Sequence, residues 1–445
     1  MVYPRGTKLG LLLLFPLAAC HDGVSPKRSA MFTVAIENVS GVHDFFMAGS
    51  FDTPIGAAAP GPAGPGAAYE FEFAAPPGAY LSFASMFGQS NDLFYAPDED
   101  GIALFDSNGV PVSGDVTSQI QLWDAGTEAD QEPGTGSNQA PRQPAPDTGP
   151  ADPNNTVRLA TDDFGNLPSV SEVMQATLTP LEGNRFRLRL ENVGSATVLP
   201  TSQGPMPAPF SPGAWVVHTA PAPFFTSGEP DRGEGLERIA EEGNAAPLAE
   251  EVMARAGVVT PLSPGVWVIH DTPAPIFTPG APDRGEGLEG IAEDADPTEL
   301  AAALAADHVL RSSGIFNTPV GAAGPGPAMP GGRYEFTVEA RPGNRLSFAT
   351  MFGQSNDLFY APDHRGIDLF DGRVPISGDF TAEVMLWDAG TEVNEVPGAG
   401  PNQAPRQSGP GEGMEESLPI GPPADGYTYP ATPMVIRVTI TPKGI

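Results

Sequence analysis

The chain has 445 residues, only 22 lysines and arginines against 55 acids, and a formal net charge of −33. That balance excludes nucleic acid and anionic membrane surfaces as partners, because both are bound through basic patches. A single cysteine excludes a disulfide framework, and the 53 glycines and 52 prolines interleave with patterned apolar segments, so they read as long ordered loops.

In chain order, Arg5 and Lys8 precede an apolar run at 11–17 and then Ala18-Ala19-Cys20. A basic start, a short apolar stretch and small residues before a cut make a secretory signal over residues 1–20. The run is shorter than the roughly 20 residues that span a bilayer. Leu17-Ala18-Ala19-Cys20 resembles a bacterial lipobox, in which Cys20 becomes the lipidated first residue. The expectation is an exported envelope protein that meets the membrane only through this anchor, or a secreted one if Cys20 is not acylated. Without Cys20 the mature chain has no thiolate nucleophile and no cysteine ligand for a metal.

Next comes a strand at 32–39, with apolar and polar residues alternating at period two. A second alternating strand follows at 69–73. The block at 82–106, Ser-Phe-Ala-Ser-Met-Phe-Gly-Gln-Ser-Asn-Asp-Leu-Phe-Tyr-Ala-Pro-Asp onward, returns almost unchanged at 347–371. Leu-Trp-Asp-Ala-Gly-Thr-Glu at 122–128 returns at 386–392, and Asn-Gln-Ala-Pro-Arg-Gln at 138–143 returns at 402–407. A period of about 265 residues exceeds the 20–50 of a solenoid and fits two copies of one globular domain. Strands at 173–180 and 186–193 close the first copy and open the second, which places the copies at 31–182 and 185–445. The second copy carries a segment the first lacks, itself doubled over 211–309: Ser-Pro-Gly-x-Trp-Val-x-His at 211–218 and 263–270, each followed by a helical stretch. The fold class is therefore all-β, two antiparallel β-sandwich domains with long Pro/Gly-rich loops (129–160 and 393–427) and short helices inserted in the second copy. Loops of that length inside a compact domain are either functional or pinned.

The acidic clusters carry the chemistry. Asp92, Asp124 and Glu128 in the first copy match Asp357, Asp388 and Glu392 in the second. Asp-Ala-Gly-Thr-Glu can present two carboxylates while glycine turns the backbone, and calcium takes six to eight such oxygens. Asp and Asn are equally ordinary turn and capping residues, so the residues alone leave both readings open. His218 and His270 lack a second ligand at metal spacing and read as packing or loop hydrogen-bonding groups. Trp123, Trp215, Trp267 and Trp387 read as core anchors. No serine elbow, phosphate loop or His-Glu-x-x-His occurs, which points to a non-enzyme.

Ser90-Asn91-Asp92-Leu93-Phe94 with Trp123-Asp124-Ala125-Gly126-Thr127-Glu128, and their second-copy equivalents, resemble the spondin N-terminal domain found in F-spondin, mindin and exported bacterial proteins. The resemblance implies an antiparallel β-sandwich with one calcium ion at its loop end, held by Asp92, Asp124 and Glu128 and by Asp357, Asp388 and Glu392. It implies binding, in adhesion or an envelope or matrix setting, with an unidentified protein or matrix polymer as partner. Leu93 and Leu358 stand where animal members have Trp, and Glu128 and Glu392 where they have Asp. Alternative readings are a secreted carbohydrate-active protein using paired carboxylates, and a purely structural envelope protein.

Overall fold

The structure is a computed structural model that describes Met1 and residues 29–443; the expected signal segment and Cys20 lie outside the described residues. Strands β1 (Ala30–Asn38), β2 (Phe45–Phe51), β3 (Ala68–Ala74), β4 (Tyr80–Phe87), β5 (Leu93–Pro97) and β6 (Ile120–Asp124) come first. After them run β7 (Arg158–Leu159), β8 (Met174–Leu181), β9 (Arg185–Asn192), β10 (Phe210–His218) and helices α1 (Leu236–Glu242) and α2 (Ala246–Ala254). Then, short two-residue strands and single turns aside, come β11 (Leu262–His270), α3 (Leu288–Asp294), α4 (Thr298–Ala306), β12 (Ser312–Phe316), β13 (Arg333–Ala340), β14 (Arg345–Phe352), β15 (Leu358–Pro362), β16 (Val384–Asp388) and β17 (Ile436–Lys443).

These strands form two antiparallel sandwiches. In the first, a small sheet ordered β3-β9-β8 faces a larger one ordered β2-β10-β4-β5-β6-β7. In the second, β13-β1-β17 faces β12-β11-β14-β15-β16. Alternating strands bury one face: in β1, Phe32, Val34 and Ile36 are fully buried, with partly exposed residues between them. The β4 and β5 segments, by contrast, are buried on both faces, because α1 and α2 cover the outer side of the larger sheet. There Leu236, Ile239, Leu248 and Val252 meet Ala84, Phe94 and Val216, and α3 and α4 do the same in the second sandwich. Such double burial explains why the repeated blocks read as nearly continuous apolar runs.

The strand pairings redraw the expected boundaries. β1, read as opening the first copy, lies between β13 and β17 in the second sandwich, with Val34 opposite Phe336 and Ile440. β9, read as opening the second copy, lies between β3 and β8 in the first. The cause is local: Glu182-Gly183-Asn184 is a tight turn with φ of 71° at Gly183 and 57° at Asn184, so β8 and β9 form a hairpin. A cut between 182 and 185 runs through that turn. The Trp-His segments are likewise divided, one to each sandwich: β10 pairs with β2 and β4, and β11 with β12 and β14. The first copy is therefore not shortened, and the helices are not confined to the second.

The tryptophans anchor as expected. Trp215 stacks on Phe71 at 5.3 Å and Trp267 on Phe336 at 5.7 Å, while the Trp123 and Trp387 indoles donate to Ala96 O and Ala361 O. Among the described residues no helix is long and apolar enough to cross a membrane.

Candidate metal centre

Each centre starts from a loop that the sequence holds in place. Ser90 Oγ donates to Phe87 O and accepts from Leu93 N, and Ser355 does the same with Phe352 O and Leu358 N. These bonds fix the turn between β4 and β5, or β14 and β15, so that Asp92 and Asp357 point inward. The two aspartates are 1 % and 0 % exposed. Oδ2 of Asp92 accepts from Thr127 N (2.9 Å) and Glu128 N (3.0 Å); Oδ2 of Asp357 accepts from Thr391 N (2.9 Å) and Glu392 N (3.2 Å). Oδ1 of each is buried and accepts no hydrogen bond from any protein group.

The second aspartate of each pair ends its strand. Oδ1 of Asp124 and of Asp388 accepts from the amide two residues on, Gly126 or Gly390, at 2.7 Å. Those glycines have φ of 67° and 68°, and an added Cβ would sit 2.5 Å from Thr156 O or Leu418 O. So one oxygen of each aspartate closes the turn, and the other, Oδ2, faces Arg158 at Asp124 and Asn394 at Asp388.

Around these aspartates one oxygen each of Asp92, Asp124 and Asp130 lies within 4.8 Å of the others, and the same holds for Asp357, Asp388 and Glu416. Burial holds Asp92, Asp124, Asp357 and Asp388 above the usual carboxylate range. Mutual repulsion adds to this at Asp124, from Asp92, and at Asp357, from Asp388.

The two centres differ in their third carboxylate, Asp130 or Glu416, and in what faces the second aspartate. Asp124 pairs across the sheet with Arg158, whose guanidinium lies 3.1 Å from Asp124, 2.7 Å from Asp152 and 2.5 Å from Asp163. Asp388 faces Gly421 at the same place, and its Oδ2 accepts from Asn394 Nδ2 at 2.7 Å. Beside it an open cleft of about 370 Å³ is lined by Asp388, Asn394, Glu416, Asp425 and Tyr427.

Glu128 and Glu392 do not join the aspartates. Their backbone amides do, but the Glu128 carboxylate accepts from Asn91 Nδ2 (3.3 Å) and Gly149 N (2.5 Å), and that of Glu392 from Asn356 Nδ2 (3.2 Å). Sequence reasoning also missed Asp130 and Glu416, which lie in the long loops, Arg158, which opens β7, and the buried helix carboxyls Glu241 and Glu293, pushed up to about 8 by burial. The recurrence of Leu-Glu-x-Ile-Ala-Glu at 236–241 and 288–293 was the available signal for the last two.

The long loops are pinned. Gln139 and Gln403, both fully buried, accept from Gly134 N and Gly398 N, and Arg142 and Arg406 donate to Gly136 O and Gly400 O. His218 and His270 sit away from the acids; Nδ1 donates to Ala220 O or Thr272 O, and Nε2 meets Ser82 or Ser347 Oγ at 2.9 Å.

Compared with family models and with curated protein sequences, the chain matches none.

Proposed function

We propose that the protein is an exported, lipid-anchored binding protein whose sandwiches each hold a calcium ion at the aspartate centre, as in the spondin-type domains its motifs resemble. The observation that carries this reading is the orphaned oxygen of Asp357, repeated in Asp92. An unpaired carboxylate at that depth costs several kcal/mol, and a divalent cation supplies the missing partner. The oxygens gathered at each centre are carboxylates, the donors a hard cation takes, and among the described residues no imidazole joins them. Asp357 and Asp92 are too deep for a saccharide to touch, which favours ion binding over glycoside hydrolysis.

Adhesion to a protein or matrix polymer would follow from the rigid loop end that the ions brace. The test is calorimetric titration of the chelator-stripped protein with calcium, with thermal melts alongside. At a hundredfold excess over Kd, one ion raises folded-state stability by roughly 2.7 kcal/mol. Asp357→Asn should abolish the ion of the second sandwich. A folded wild type whose melting ignores both calcium and chelator would remove this reading and leave the aspartates as turn formers.

A further inference from the structure

Glu128 turns away from the aspartates into a second acidic group. One oxygen each of Glu128, Asp147 and Glu241 lies within 4.8 Å of the others, and Glu128 and Glu241 are 2 % and 1 % exposed. Three elements far apart in sequence supply them: the turn after β6, the long loop, and the last turn of α1. Both Glu128 oxygens are held, by Asn91 Nδ2 and Gly149 N, so its carboxylate is fixed in place. The backbone at Gly149 comes so close that a Cβ there would meet the Glu128 carboxyl carbon at 2.2 Å. Glu241 Oε2 is buried and accepts no hydrogen bond from any protein group. Arg238, the cation on the same helix, is paired with Glu242 at 2.5 Å.

We propose that Glu128, Asp147 and Glu241 form a second divalent-cation site in the first sandwich, of the oxygen-ligated, calcium-type class. It shares no carboxylate with the Asp92 and Asp124 centre, so it stands or falls separately. The second sandwich provides an internal contrast. There Gly411 follows the repeated Asn-Gln-Ala-Pro-Arg-Gln block where Asp147 follows it in the first. Among the described residues Glu392 and Glu293 gather no third carboxylate. The extra ion is expected in one sandwich only.

The experiment is calcium titration of the chelator-stripped full chain by calorimetry, comparing wild type with Glu241→Gln and Asp147→Asn. Asp147 is exposed, so its variant will fold even if the buried one does not. The expected result is one ion fewer per chain in each variant, while Asp92→Asn and Asp357→Asn, made in parallel, remove other ions. Unchanged stoichiometry and affinity in Asp147→Asn and Glu241→Gln would overturn the proposal. So would a Glu241→Gln variant that melts higher in chelator yet binds as many ions as wild type, since the two glutamates would then only share a proton. Loss of the Asp92 and Asp357 ions alone, with these variants like wild type, separates failure here from failure of the aspartate centres.

Discussion

Arg158 pairs with Asp124 in the first aspartate centre, where the second has Gly421 opposite Asp388. Its guanidinium already supplies positive charge to Asp124, Asp152 and Asp163, and at 9 % exposure it does so in a poorly screened setting. A cation entering the first centre must compete with it, whereas at the second centre Gly421 brings no charge and a neutral amide, Asn394, holds Asp388. Calcium should therefore bind the second sandwich more tightly. Arg158→Gly should tighten the first centre by about tenfold or more, since tenfold needs only about 1.4 kcal/mol. The same change should destabilise the chelated protein by about 3–5 kcal/mol, because it strands buried acids. Titration of the variant beside wild type checks both, and equal affinities for the two centres in wild type would refute the competition. The histidines give a second residue-scale test. Burial lowers the pKa of His218 and His270 below the usual 6.5, so the folded state keeps them neutral while the unfolded chain takes up protons. Their contribution is complete above about pH 6.5 and is lost as pH falls below it. Denaturant midpoints between pH 7.5 and 5 should fall further for wild type than for His270→Gln.

Helix and loop meet at the acids, and their coupling depends on pH. Glu293 on α3 is pushed up to about 8 by burial, against a usual 4.5. Between those values the folded state holds a proton that the unfolded chain has released, so stability in chelator declines as pH rises from about 4.5 to about 8. Calcium at the neighbouring aspartates should offset much of that decline, so the gap between melts with and without calcium should widen with pH. A gap that stays constant would mean the acids do not answer to the ion. The Asp-Ala-Gly-Thr-Glu turn is the other controlling element. Gly390→Ala places a Cβ against Leu418 O at positive φ and should cost of order 1–3 kcal/mol, with weaker calcium binding. A melt and titration equal to wild type would show that the turn is not needed. Much of this was legible in the sequence: the period-two strands, the tryptophan anchors, the glycine turn and the pairing of the aspartates with it all follow from local pattern, whereas the depth of the aspartates does not. What was not legible depends on long-range closure. Arg158 in β7 and Glu416 reach the aspartates only after the long loops have folded back, Arg158 through its pairing with Asp124 and Glu416 through its amide on Thr391 O. The Gly183-Asn184 turn between two alternating runs was a hairpin signal, but the repeat drew the boundary through it.

At the scale of the whole molecule, the first sandwich is inserted into the second. The chain leaves the second sandwich after β1, builds the first from β2 to α2, and returns at β11. The outgoing and returning segments run side by side, with Phe45 bridged to Ala256, Gly257 N donating to Phe45 O, and Arg255 over the Phe45 ring. Strand order makes the two sandwiches circular permutants: a three-residue turn joins β8 to β9, while β17 and β1 are joined only through their ladder. β1 is an interior strand whose Phe32, Val34 and Ile36 fill the core of the second sandwich. A fragment of residues 185–443, the second copy as the repeat alone would cut it, lacks β1 and carries β9 without either neighbour. It should be poorly folded, with no cooperative melt. Because the crossing segments are adjacent, joining 29–44 directly to 257–443 keeps β1 in register and should give a cooperative second sandwich that binds calcium through Asp357 and Asp388. Circular dichroism melts of the two fragments decide between these architectures. A cooperative 185–443 fragment beside an unfolded fusion would mean that β9 can replace β1, and that the repeats pair in chain order after all.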